Sequence, residues 1–431
     1  MPIELLNLRQ ENNKTYDLGN GQKQLVASIG AIHYKNDYAS LTEPWKDIDL
    51  TWVDNKITKA PYELTRDGQK ITIRNKKDGE VSTIELISVF PPGMAFEIVP
   101  ELTRVSFRHV LPTDKIPFEA KFKVTGKGII RTRAFDDLGE LEIETTQVGD
   151  VLTEKIAGVV DKQTHKARPA KGSIRVDPTW QVGASTDDCY RGGAIGWNLT
   201  SVVVRVGFYR DFEGAGVRFT NITIPHGASI TTTKLTLQCR VGYSNPLFTR
   251  ISAEDVDDAP TFADDYVAFD ARFATHTTAR IDWDFSTAWT ANNNYDSIEF
   301  PTVIQEITDR AGWVSGNDIV IFWEDFDHRN DGTDDHCRDA KSYDADAANA
   351  PKLVITYVAP ITGTVTLSGA GVISATVRAI NQTTGTVYTG TTIADGTYFV
   401  IAPAGTYHIC VEYTTGGVKY NAKSLWDVVV S

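Results

Sequence analysis

The stretch Gly214–Arg240, GAGVRFTNITIPHGASITTTKLTLQCR, constrains the fold of this chain more than any other. Val217, Phe219, Ile222 and Ile224 supply one apolar run. Pro225-His226-Gly227 marks a turn, because proline fixes φ and glycine accepts positive φ. Lys234–Arg240 then alternates Leu235, Leu237 and Cys239 with Thr236, Gln238 and Arg240. Period-two alternation belongs to a strand with one face on a core and one in water. Nothing in the segment points to chemistry, so it reads as scaffold.

The same grammar runs through the rest of the 431 residues, enough chain for two to four domains. In residues 1–177, strands are expected at Gln24–Ala31, Trp45–Trp52, Ile71–Asn75, Ser82–Val89, Ala95–Val99, Thr103–Val110, Phe118–Val124, Ile129–Phe135 and Leu141–Thr146. Asp67-Gly68, Asp78-Gly79, Pro91-Pro92-Gly93 and Leu138-Gly139 punctuate them. Lys162–Arg175 is polar, basic and broken by Pro169, the composition of a linker. Residues 178–358 carry eight further strand signals and one helix at Thr302–Arg310. Its stripe is Val303, Ile304 and Ile307, with Thr302 as the expected cap, Gly312 at the C-terminal glycine position and Trp313 covering the end. Residues 359–431 hold five more strands in about 70 residues. The expectation is an all-β chain of three consecutive antiparallel β-sandwich or jelly-roll domains, with one short helix in the middle one.

A net charge of −13 argues against nucleic acid as partner. No basic and apolar leader opens the sequence, and no run of about 18 apolar residues crosses it, so neither secretion nor membrane insertion is expected. The four cysteines, Cys189, Cys239, Cys337 and Cys410, lack metal spacing. They read as free thiols, or with one disulfide among Cys189, Cys239 and Cys337. His33 reads as a packed side chain, since no second ligand sits at zinc spacing.

Candidate ligating residues fall in two acidic clusters. One is Glu254, Asp255, Asp257 and Asp258; the other is Asp325, Asp327, Asn330, Asp331, Asp334 and Asp335. Closely spaced carboxylates with Gly332 suit calcium, a hard cation that takes 6–8 oxygens. FDHRNDGTDDH lacks the Glu of an EF-hand, and a solvated acidic loop is the alternative. His328, His336 and Cys337 offer zinc donors at no standard spacing. Paired carboxylates also open glycoside hydrolysis, whose distance requirement a sequence cannot supply. No catalytic residue and no further cofactor is assigned.

Four resemblances add to this. Lys14-Thr15-Tyr16, Gly30–Tyr34 and Trp45–Asp49 resemble the opening of phage and metagenomic surface proteins. AGVRFTNITIPHGASITTTKLTL, AEDVDDAPTF, VIQEITDRAGWVSGNDIVI and RDAKSYDADAANAPKLVITY resemble the jelly-roll domains of the DNRLRE, disaggregatase-related type. That family implies a β-sandwich, in some members carbohydrate-binding, and offers no catalytic constellation to transfer. GTVTLSGAGVISATVRAINQTTGTV and ADGTYFVIAPAGTYHICVEY resemble the carboxypeptidase regulatory-like, transthyretin-like sandwich, an accessory module. The segment from Tyr407 to Ser431 resembles the ends of tailed-virus structural proteins. Together they imply a virion structural component: a capsid decoration, fibre or tail-associated protein. It would be made in the host cytoplasm, would associate with itself and other virion proteins, and would contact host-surface glycans. A cell-surface carbohydrate-binding adhesin and a glycan-cleaving enzyme are the alternatives.

Overall fold

The computed structural model describes residues 1–90, 94–126, 130–136, 139–162, 165–181, 186–192, 196–209, 211–333, 335–421 and 424–430. The protein is mostly strand, and every strand pairing among the described residues is antiparallel. Two compact units emerge: Met1–Ile29 with Ser185–Ser431, and Gly30–Ala184.

The first unit is built on the 13-residue strand Ser229–Val241. Leu235, Leu237 and Cys239 are fully buried on its inner face, and Val217, Phe219, Ile222 and Ile224 are buried with them. On one side it pairs with Lys352–Val358, on the other with His336–Lys341. The sheet continues through Val203–Phe208, Phe212–Phe219, Ile319–Glu324 and Leu247–Ala253 to Ile281–Phe285. Residues from its far ends, Leu25 and Leu353 against Ile251 and Trp323, share one apolar core, so the sheet closes over itself.

Residues 1–29 do not belong with the N-terminal sandwich, where the sequence reading put them. Strand Gln22–Ser28 pairs along its whole length with Lys352–Val358, Leu25 opposite Ile355 and Ala27 opposite Leu353. Asn12 and Asn13 add side-chain bonds to the carbonyls of Thr220 and Asn221. Alternation announces a strand but not its partner, and this partner is more than 300 residues away.

Among the described residues two α-helices stand where one was expected. Helix Pro301–Thr308 buries Val303, Ile304 and Ile307, as its stripe requires. Thr302 does not cap it: Phe300 is the N-cap without a side-chain bond, and Pro301 opens the first turn with its preset φ. Asp309, not a glycine, closes it. Trp313 is buried, its indole N–H bonded 3.0 Å to the Ile224 carbonyl. The second helix, Tyr266–Phe273, begins at Asp265, whose side chain accepts the Val267 N–H. It covers the outer side of strands 212–219 and 319–324 with Phe269, which packs with Phe262 and Phe322. A Cβ at Gly216 would stand 2.6 Å from the Phe262 ring, so only glycine lets this helix seat.

Residues 361–430 form a smaller sandwich with its own core around Val377, Ala379, Val400, Tyr407 and Ile409. The Phe399 ring meets the turn at His226 and Gly227 of the jelly roll.

The second unit is a sandwich of a seven-stranded and a five-stranded sheet around Phe107, Phe122, Leu86 and Val176. His33 is fully buried, and strand His33–Tyr34 pairs with Lys46–Asp47. The expected linker Lys162–Arg175 lies inside this unit. Arg168 grips buried Asp136 with two bonds of 2.6 and 2.9 Å, and Ile174 starts a strand at the centre of the five-stranded sheet. Its polar composition marks charge-paired structure rather than a free tether.

Candidate functional site

The two acidic clusters lie at opposite ends of one strand pair. Arg250 sits opposite Glu324 and Ala253 opposite Ile321, so Glu254 follows one end and Asp325 the other. They do not converge.

Arginines occupy the first cluster. Glu254, nearly buried, takes two bonds from Arg272 at 2.9 and 2.6 Å. Arg310 bonds Asp257 at 2.7 Å and also holds Asp255. Asp258 accepts the Asp318 N–H at 2.9 Å.

The second cluster divides its labour. Asp325 is fully buried and accepts the Arg329 N–H and the Asn330 amide, both at 2.7 Å; burial raises its pKa. Asp327 pairs with Arg280 at 2.9 Å and with Arg250. Asp331 accepts the Thr333 N–H at 3.0 Å and lies 3.1 Å from His336, and its hydrogen bonds hold its pKa down. Asp335 adopts a φ of +70°. Asp334 lies outside the described residues. His328 stacks on Phe212 at 3.8 Å, and Cys337 is buried, so the zinc donors do not face a common point. Among the described residues no three His, Cys, Asp or Glu side chains form a metal-sized group.

What sequence reasoning missed is the arginines. Arg250, Arg280 and Arg329 knit Asp282, Asp284, Asp327 and Glu324 into a charge lattice along edge strand 281–285. A charged edge resists pairing with another chain.

A second constellation is buried. Arg205 grips Asp339 through Nε and Nη2, the latter at 2.8 Å, and Nε lies 3.6 Å from Glu213. All three are at most 2% exposed. The carboxylates hold Arg205 well above its ordinary pKa, while burial pushes Glu213 up to about 8. Gly192 packs against Glu213: a Cβ there would be 3.0 Å from Cγ. Burial likewise raises the pKa of the Cys337 thiol. This centre sets the Arg205 guanidinium between Asp339 and Glu213, sealed from water. Its signal was a charge inside an apolar run, Val202-Val203-Val204-Arg205-Val206, which requires a buried partner.

All four cysteines are free; Cys189, Cys239 and Cys337 are buried and Cys410 is half-buried. The disulfide alternative is thereby corrected: the three thiols are spread over strands 188–192, 229–241 and 336–341, with Cys189 and Cys239 packed in apolar clusters.

No family model and no curated protein matches this chain. Among solved structures it is similar to an exo-β-1,3-galactanase from Phanerochaete chrysosporium bound to galactose, at 8% identity over 81% of this chain and 83% of that one, with a TM-score of 0.18. An α-xylosidase from Xanthomonas citri aligns at 8% identity over 83% of this chain and 38% of that one, with a TM-score of 0.12. Likeness at these scores carries no conclusion. No helix among the described residues is long and apolar enough to cross a membrane.

Proposed function

We propose that this chain is a structural component of a tailed-phage virion, a capsid decoration, fibre or tail-associated protein that associates with other virion proteins and meets host-surface glycans. The observation that carries the structural reading is the engagement of the acidic clusters by arginine. Glu254, Asp255, Asp257 and Asp327 each have a guanidinium within ion-pair distance. A carboxylate pair committed to arginine is a strut, not the free acid and base that glycan cleavage needs. Glu213 has the raised pKa of a general acid but no exposure through which a sugar would reach it. The phage assignment rests on the sequence resemblances.

The test is peptide mass spectrometry of purified particles, together with release of reducing sugar from host glycans. Presence in particles at fixed copy number and no released sugar support the reading. Absence from particles, or sugar release lost on substituting Glu213 or the clustered carboxylates, sinks it.

A further inference from the structure

We infer that the third sandwich joins two copies of this chain through the outer face of its five-stranded sheet. Strand register defines that face. In strand Gly405–Thr415, Tyr407 and Ile409 point into the core, so Thr406, His408, Cys410 and Glu412 point away from it. Ile380 lies opposite His408, and Val387 opposite Ile380. Val429 lies opposite Thr406 on the edge strand Leu425–Val430. Trp426 lies flat on His408, ring centroids 3.6 Å apart and planes 9° from parallel. An apolar band thus crosses four strands. Val387 is 49%, Trp426 64% and Val429 70% exposed.

Two observations select a second copy as the occupant. The first is charge. The chain carries −13, yet residues 359–431 are neutral: Arg378, Lys419 and Lys423 balance Asp395, Glu412 and Asp427. Two copies repel each other over most of their surface and least here. Glu412, the carboxylate on this face, is already matched by Arg378 at 3.3 Å and Lys419 at 3.5 Å. The second is area. These three side chains leave roughly 350 Å² open per copy, so about 700 Å² in a pair, the size of a weak, transient contact. An apolar face is complementary to itself under a two-fold axis. The edge strand reinforces the choice. Edge strand 281–285 is screened by its ion lattice, whereas Leu425–Val430 carries one charge, Asp427. The contact is therefore a weak, reversible dimer that an ordered array would multiply.

This inference rests on the assembly reading above but fails separately from it. The experiment is sedimentation equilibrium of the full chain, wild type against Trp426→Ser with Val429→Ser. Both side chains are exposed, so circular dichroism and melting should match wild type. The expected result is a micromolar monomer–dimer equilibrium, with dissociation raised at least about tenfold in the variant. Added salt should strengthen the wild-type dimer, because it screens repulsion between acidic chains. A wild-type monomer throughout, an unmoved equilibrium in the variant, or a dimer weakened by salt overturns the inference. Where wild type is a monomer and the variant alone is lost from particles, the face binds a different virion protein. The second-copy proposal then falls while the virion reading stands.

Discussion

His109 and Glu154 face each other across the two sheets of the N-terminal sandwich, Nε2 to Oε2 at 3.5 Å, both fully buried. The rings of Phe90, Phe118 and Phe122 stand within 5.4 to 6.0 Å of the imidazole. The Thr132 hydroxyl donates 2.5 Å to the other Glu154 oxygen.

Burial pulls the His109 pKa down to about 4. A histidine lowered on folding is neutral in the fold while the unfolded chain takes up a proton. Stability is complete above the ordinary value near 6.5 and falls as pH drops from there toward 4, by about 3 kcal/mol for one group. Denaturant titrations from pH 7 to 4 should show this slope reduced in His109→Phe. Stability that rises toward acid would instead make the pair a buried ion pair.

Glu213 predicts the opposite limb. Its pKa is raised from 4.5 to about 8, so the fold holds a proton that the unfolded chain releases. Its contribution is complete below pH 4.5 and disappears as pH rises through 8, about 5 kcal/mol at most. Glu213→Gln should flatten the loss of stability between pH 5 and 9. An unchanged slope would mean that Glu213 is ionised beside Arg205.

Of the calcium ligands expected at Glu254, Asp255, Asp325, Asp327, Asp331, Asp334 and Asp335, the fold commits Glu254, Asp255 and Asp327 to arginine, so a cation must compete with guanidinium there. The wild-type melting temperature should agree to about 1 °C in millimolar calcium and in chelator. Arg310→Ala frees Asp255 and Asp257 and should make melting calcium-dependent. A wild-type shift of several degrees would restore a calcium site to the clusters.

Thiol counting tests the cysteine assignment. Cys410 is half-buried, whereas Cys189, Cys239 and Cys337 are at most 1% exposed. A thiol reagent should label one cysteine per folded chain and four in denaturant. Two unreactive thiols in denaturant without reductant would mean a disulfide.

Gly216 tests the seat of the second helix. Gly216→Val should cost about 1 to 3 kcal/mol, because its side chain must displace the Phe262 and Phe269 rings. A loss below about 0.5 kcal/mol would mean that the helix shifts freely.

Alternation and turn residues made most strands legible, and the stripe of helix 301–308 was legible for the same reason: both periods are local. Helix 266–273 was missed because its Tyr-Val-Ala-Phe-Asp-Ala-Arg-Phe run carries one buried side chain, Phe269, too little for a stripe. Of the acidic clusters the sequence conveyed composition only. Whether clustered carboxylates attract a cation depends on which cations the fold already brings: Arg272 arrives from helix 266–273, Arg280 from just before strand 281–285 and Arg310 from just after helix 301–308.

By itself, then, the sequence determined that this chain is antiparallel β, because side-chain period and turn chemistry act over a few residues. Only the tertiary structure decided that Leu25 and Ala27 complete a sheet with Ile355 and Leu353, and that Asp255 and Asp257 serve Arg310. Strand partners and ion partners are chosen by burial and Coulomb energy across the folded core. Neither leaves a mark in the local order of residues.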